Sequence, residues 1–146
     1  PTMETIKYDQ DIVAWASQQA EFLRAGRFDL LDLKNIADEV EDVGRSEKRD
    51  LLSRMAELLA HLLKWHFQPE RRGASWEISI RKQRKGIARA LEETPSLKAE
   101  LASERWQQNA WDEAVKRAAD QTGIGYFPES CPWTMAQVRD EDWFPS

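Results

Sequence analysis

The chain is short of the residues that most catalytic and covalent frameworks need. It holds one cysteine, Cys131, and two histidines, His61 and His66, among 146 residues. One cysteine excludes an intrachain disulfide and a cysteine-based zinc site. No Gly-rich phosphate loop is present and no serine sits in G-x-S-x-G. No catalytic residue, metal or cofactor is therefore expected. The longest apolar stretches fall well below the ~18 residues of a membrane span, so no membrane partner is expected. The N-terminal PTMETIKYDQ is polar and lacks an apolar h-region, which leaves the cytoplasm as the default compartment. Alternating strand patterns, internal repeats and low-complexity tracts are missing as well.

What is present is a mixture of 41% apolar and 32% charged residues. That mixture suits one folded domain, residues 1–146, rather than a disordered chain. The net charge of −5 argues against a nucleic-acid partner. Charge is unevenly spread, however. Residues 29–42 carry six acids and one Lys, whereas residues 71–89 carry seven Lys or Arg and one Glu. Two solvated helix faces account for this most simply.

The apolar periodicity is helical almost throughout. A first segment, Asp9–Ala25, carries Ile12, Trp15, Gln19, Phe22 and Leu23 on one stripe, with Gly26 as its stop. Asp29 reads as the N-cap of a second segment. Its stripe runs through Leu33, Ile36, Val40 and Val43 to Leu58, Leu62 and Trp65 in steps of three and four. Gly44 and the Ser46-x-x-Arg49 stretch are where this run of ~38 residues, about 57 Å at the helical rise, could break or bend. QPERRGA is a connector because Pro69 and Gly73 discourage helix. Ser75 reads as the cap of a third segment carrying Trp76, Ile80, Ile87 and Leu91. Thr94-Pro95 opens a fourth, which continues to Thr122. Trp106 lies off the fourth segment's stripe and Trp143 lies near the chain end, so either is a candidate for exposure. YFPESCPW and a capping box at Thr134-x-x-Gln137 announce a C-terminal aromatic wrap ending in a short helix. The predicted fold is all-α, a bundle of four main helices with a long second helix and that wrap.

Several motifs together carry a resemblance. HLLKW (61–65), QPERR (68–72), SW (75–76), I-x-x-QR (80–84), PSL (95–97) and FPESCP (127–132), with LKNIADEVEDVGRSEKR upstream, resemble the bacterial family labelled domain of unknown function number 29. The resemblance covers nearly the whole chain. It implies a small all-helical bacterial protein and supplies no activity, cofactor or catalytic residue.

The densest stretch of chemistry is HLLKWHFQPERRGASW, residues 61–76. His61 and His66 are five apart, roughly 140° around a helix, so one metal cannot take both. His66 reads as a packed or capping residue near the helix end. His61 continues a line through Glu47 and Arg54 at heptad spacing, and Glu57 one turn away is placed to orient its ring. Folding the third segment back antiparallel sets His61 level with Arg81, and Trp65 near Trp76 and Glu77. A polar seam of Glu47, Arg54, His61, Arg81, Gln83 and Arg84 then runs beside the two Trp rings. As a site it is a small anion or carboxylate pocket, with ligand-binding candidates His61, Arg81, Arg84, Trp65, Trp76 and Glu57. His61 and Arg81 are expected to share a carboxylate, Glu57 or Glu77, or a bound anion. As structure it is an interhelical network that specifies packing. The acids Asp38, Glu39, Glu41, Asp42 and Glu47 suggest a Mg²⁺-holding cluster, but no facing carboxylates are expected on the basic third segment.

Seven Trp exceed what a small bundle core needs, and Trp is enriched at binding hot spots. The leading functional reading is a non-enzymatic helical interaction module that binds a protein partner or itself. The alternatives are a small-ligand or anion-binding protein, or an enzyme, using the His/Arg seam, and nucleic-acid binding through residues 71–89.

Overall fold

The computed structural model describes residues 4–146, and every regular element among them is helical. Helix α1 spans Ile12–Ala25. Its N-cap is Asp11, whose side chain accepts from the Ala14 N–H at 3.0 Å, two residues later than the sequence start at Asp9. Gly26 ends it at φ 72°, a left-handed conformation that a side chain would strain.

Asp29 does not cap the second helix. It pairs with Arg27 at 3.2 Å inside a 3-10 turn, Phe28–Leu30. Asp32 takes the capping place, accepting from the Asn35 amide side chain at 2.8 Å and from Trp15 Nε1 at 3.1 Å. These donors, the Asn35 side chain first, hold its carboxyl below the usual carboxylate range. Helix α2 then runs uninterrupted over Leu33–Phe67. Gly44 does not break it: the helix tolerates one interior glycine at about 1 kcal/mol, and no neighbouring atom crowds that position.

Pro69–Arg71 forms a 3-10 turn, and α3 spans Ala74–Glu93 with Gly73, not Ser75, at the cap position. Arg72 fastens this turn by donating from Nε to the Trp65 carbonyl at 2.7 Å while its guanidinium lies over the Trp65 ring. The fourth segment is not one helix. Pro95–Leu97 is a 3-10 turn, α4 covers only Lys98–Ala102, and α5 covers Glu104–Thr122. Ser103 interrupts the run and caps α5 through its hydroxyl to the Trp106 N–H. The interruption resets the helical phase. Trp106, Ala110, Ala114 and Ala118 share a buried stripe, so Trp106 is in the core and not exposed. Helix α6, Met135–Arg139, opens with the expected Thr134/Gln137 capping box.

The chain divides into two compact units, residues 1–46 and 47–146. In the second, Leu58, Leu59, Leu62 and Leu63 are all fully buried. Adjacent pairs on a helix face different directions, so this part of α2 is covered on more than one side. The C-terminal aromatics supply part of that cover. Trp133 lies edge-on to both Trp111 and Trp143, at 5.9 and 5.7 Å between centroids, and Phe144 packs on Trp65 at 4.8 Å. Trp143 is thus half-buried within the wrap. Arg84 holds the wrap down. It is buried, and it donates to the carbonyls of Val138 at 2.8 Å and Trp143 at 2.7 Å.

Candidate functional site

The polar residues of the 47–146 unit meet chiefly between α2 and α5. Ser53, Glu57, His61 and Lys64 lie at helical spacing on α2, and Glu113, Arg117 and Gln121 do so on α5. Arg117 donates to the Glu57 carboxylate at 3.1 Å and to the Ser53 carbonyl at 3.1 Å. Glu113 supports it from one turn away at 3.4 Å. Farther along, the Lys64 ammonium donates to Gln121 Oε1 at 2.5 Å and lies over the Trp76 ring, 5.6 Å from its centroid. Arg117 and Gln121 stand four residues apart in the sequence, a spacing that names no partner on α2.

His61 is buried in this ladder. Its Nδ1 is 2.9 Å from the Glu57 carbonyl and 3.4 Å from the Glu57 carboxylate. A carbonyl only accepts, so Nδ1 carries the proton in the neutral ring. Burial lowers the His61 pKa, and Lys64 adds to the effect. Burial likewise lowers that of Lys64. The ladder therefore favours a neutral imidazole at pH 7.

Arg81 takes no part in it. The buried stripe of α3 is Ile80, Arg84, Ile87 and Leu91, and Arg81 sits one residue, about 100°, off that stripe. Its side chain is exposed and pairs with Glu77 at 3.7 Å. His61 and Arg81 thus take separate carboxylates, Glu57 and Glu77, and the arginine sharing the carboxylate of His61 is Arg117. Trp65 and Trp76 do not stack on each other. Trp65 lies between Phe144 and Arg72, and Trp76 lies under Lys64, because the wrap and the Lys64 stem occupy the space each ring faces.

Of the remaining seam residues, Glu47 and Arg54 line one cleft, and Arg54 and Gln83 line another. A cleft of about 420 Å³ lies between α2 and α3, with Glu47, Asp50 and Arg54 on one side and Lys82, Lys85 and Arg89 on the other. A second, of about 390 Å³, shares Asp50 and Arg54 and reaches Glu57, Gln83 and Arg117. Arg81 and Arg84 line a third small cleft against Glu141 and Asp142.

The acids of the 1–46 unit are partly engaged. Arg45 pairs with Glu41 and Asp42, and Tyr8 donates its hydroxyl to Glu39, a bond that pushes the phenol up to about 12. Among the described residues, no group of three or more His, Cys, Asp or Glu is placed to hold a metal ion, and no helix is long and apolar enough to cross a membrane. Cys131 is half-buried beside the Trp133 carbonyl, and burial pushes its thiol up, away from a thiolate nucleophile.

A model of the family described as domain of unknown function DUF29 matches residues 7–144. The chain belongs to this family. The match takes in both units and every helix described above. No curated protein and no solved structure matches the chain. The DUF29 assignment carries no reaction, so the function rests on the geometry.

Proposed function

We propose that this DUF29 protein is an interaction module whose 1–46 unit receives a basic amphipathic helix from a protein partner. The observation that carries the proposal is an apolar groove between α1 and the start of α2, bordered by Trp15, Ala20, Leu23, Ile36, Val40 and Val43. Leu23 is 47% exposed, and Val40 and Val43 are each 67% exposed. Of the eleven large apolar residues exposed among the described residues, eight lie before residue 47. Single exposed apolar residues are ordinary, but a contiguous set along a groove marks an interaction surface. Two helices side by side make the groove in which a third helix lays its apolar face.

Charge selects the occupant. Residues 1–46 hold ten acids against five bases, whereas residues 47–146 hold sixteen of each. Glu39 borders the groove, and Asp38 lies beside it on α2. A second copy would bring a like-charged surface to this one, which is unfavourable, while a helix with Lys or Arg flanking its apolar stripe is complementary. The same reading places the protein in the bacterial cytoplasm, in keeping with the family resemblance and with a chain that forms no internal disulfide.

The test uses the full chain and two synthetic peptides. One is an amphipathic helix of Leu and Lys, and the other carries Glu at every Lys position. Trp fluorescence and calorimetry should show saturable one-to-one binding of the basic peptide only, and the double variant Val40→Asp/Val43→Asp should abolish it. Equal binding of both peptides, or binding that survives the double variant, would overturn the reading. So would a dimer in sedimentation that the same variant dissociates, because a second copy would then be the occupant.

A further inference from the structure

The cleft between α2 and α3 has two features that packing does not account for. The first is Gly86. It sits in the interior of α3, where glycine is a poor helix former, and its φ is ordinary. What it provides is room. A Cβ at Gly86 would stand 2.5 Å from Arg54 Nη1 and 3.2 Å from Arg54 Cζ. The Arg54 guanidinium therefore rests against the bare backbone of α3, at the wall of the cleft. The second feature is the charge that faces it. Arg54, Lys82, Lys85 and Arg89 line the cleft, and among the described residues none of the four has an acidic partner within 4.0 Å. Four cations without ion pairs beside one cavity, one of them seated by a glycine, form a place for a multiply charged anion.

The rest of the lining specifies more than an anion. Glu47, Asp50 and Glu93 line the same cleft and set carboxylate acceptors beside the four cations. An anionic group attached to a body that donates hydrogen bonds satisfies both sets of groups. The volume of about 420 Å³ suits a small molecule rather than a macromolecule.

We infer that this cleft binds a small phosphate monoester carrying hydroxyl groups, with the phosphate against Arg54, Lys85 and Arg89 and the hydroxyls donating toward Glu47 and Asp50. The site is separate from the apolar groove of residues 1–46 and stands or falls independently of it.

The experiment is a titration of the isotope-labelled full chain at constant ionic strength, following the Gly86 amide and the Arg54 Nε–H. The probes are inorganic phosphate, glycerol 3-phosphate, acetate, glycerol and a short DNA duplex. Phosphate and glycerol 3-phosphate should saturate both signals, with glycerol 3-phosphate tighter, and acetate and glycerol should bind at least tenfold more weakly. Arg54→Gln should lower glycerol 3-phosphate affinity about tenfold or more, the worth of a charge-assisted hydrogen bond. Gly86→Ala should do the same by displacing the guanidinium while leaving Tm unchanged or raised, because alanine favours the helix. A purely structural glycine would instead lower Tm and leave affinity alone. Shifts that never saturate, acetate as tight as phosphate, or affinity indifferent to both variants would overturn the inference. DNA binding more tightly than glycerol 3-phosphate at the same signals would overturn it too, in favour of a nucleic-acid surface.

Discussion

Residues 1–46 and 47–146 are both helical and both amphipathic, yet they use their apolar residues differently. Of the twenty-one buried apolar residues among the described residues, nineteen belong to the second unit and two, Trp15 and Phe22, to the first. The first unit instead fixes its geometry with polar bonds: Gln19 accepts from the Asp32 N–H at 2.8 Å, and Asp32 takes Asn35 and Trp15. Its Val13, Leu23, Leu33, Val40 and Val43 are left exposed. Apolar periodicity shows that a face exists. It does not show whether the chain itself covers that face.

The contrast is broken most forcefully in the second unit. Trp111 is 1% exposed and donates from Nε1 to the Pro128 carbonyl at 2.8 Å. Trp111→Ala should cost about 3–5 kcal/mol, the range for a core aromatic, read from denaturant unfolding. Val40→Ala, an equally apolar position in the first unit, should change stability by less than about 0.5 kcal/mol, as surface substitutions do.

Next in size is the clamp on the wrap. Arg84→Met keeps the apolar bulk but leaves the Val138 and Trp143 carbonyls without their donor. A loss of about 2–4 kcal/mol is expected from two charge-assisted bonds, with a red shift of Trp fluorescence as Trp133 and Trp143 become hydrated. A variant as stable as the parent would show that the aromatic contacts alone hold the wrap.

Between pH 7 and pH 5 the shifted group belongs to the second unit. Burial holds the His61 pKa below its ordinary 6.5, so the folded state resists a proton that the unfolded chain accepts. The stability this contributes is present above pH 6.5 and is lost as pH falls through 6.5 toward the lowered value. Tm should therefore fall between pH 7 and pH 5, and His61→Gln should flatten that slope. A slope unchanged in His61→Gln would assign it to other groups.

The smallest expected effect is Gly86→Ala, a gain of up to about 1 kcal/mol from helix propensity, because the atoms it meets belong to the far end of a flexible arginine. Calorimetric Tm checks it, and a clear loss would mean that Arg54 is a structural strut.

The sequence made the helices legible and left their neighbours partly hidden. Steps of three and four located α1, α2 and α3, and the Thr134/Gln137 box located α6 to the residue. Ser103 was missed because a serine inside an apolar stripe carries little signal until the chain has to turn. Its capping of α5 moved Trp106 into the core. The polar seam was half visible. Glu57 was rightly placed beside His61 because i, i+4 geometry is local. Arg117 was invisible because it arrives from 60 residues away, and an antiparallel register assumed for α2 and α3 set Arg81 in its place. Arg81 is exposed because one residue's offset from Ile80 turns a side chain by about 100°. Short-range geometry follows from the chain, whereas the partner across an interface depends on how three helices pack at once.

On the proposed function, residues 47–146 enclose their own core and residues 1–46 receive a partner helix over their exposed apolar face. Hydrogen exchange on the full chain, with and without the basic Leu/Lys peptide, tests this directly. Without peptide, amides of α2 from Met55 to Leu63 should be the most protected, and those of α1 should exchange far sooner. With peptide, protection should rise over Ile12–Ala25 and over residues 33–43, and stay unchanged from 47 onward. Slow exchange of α1 in the absence of peptide, or new protection confined to residues 47–146, would contradict the account.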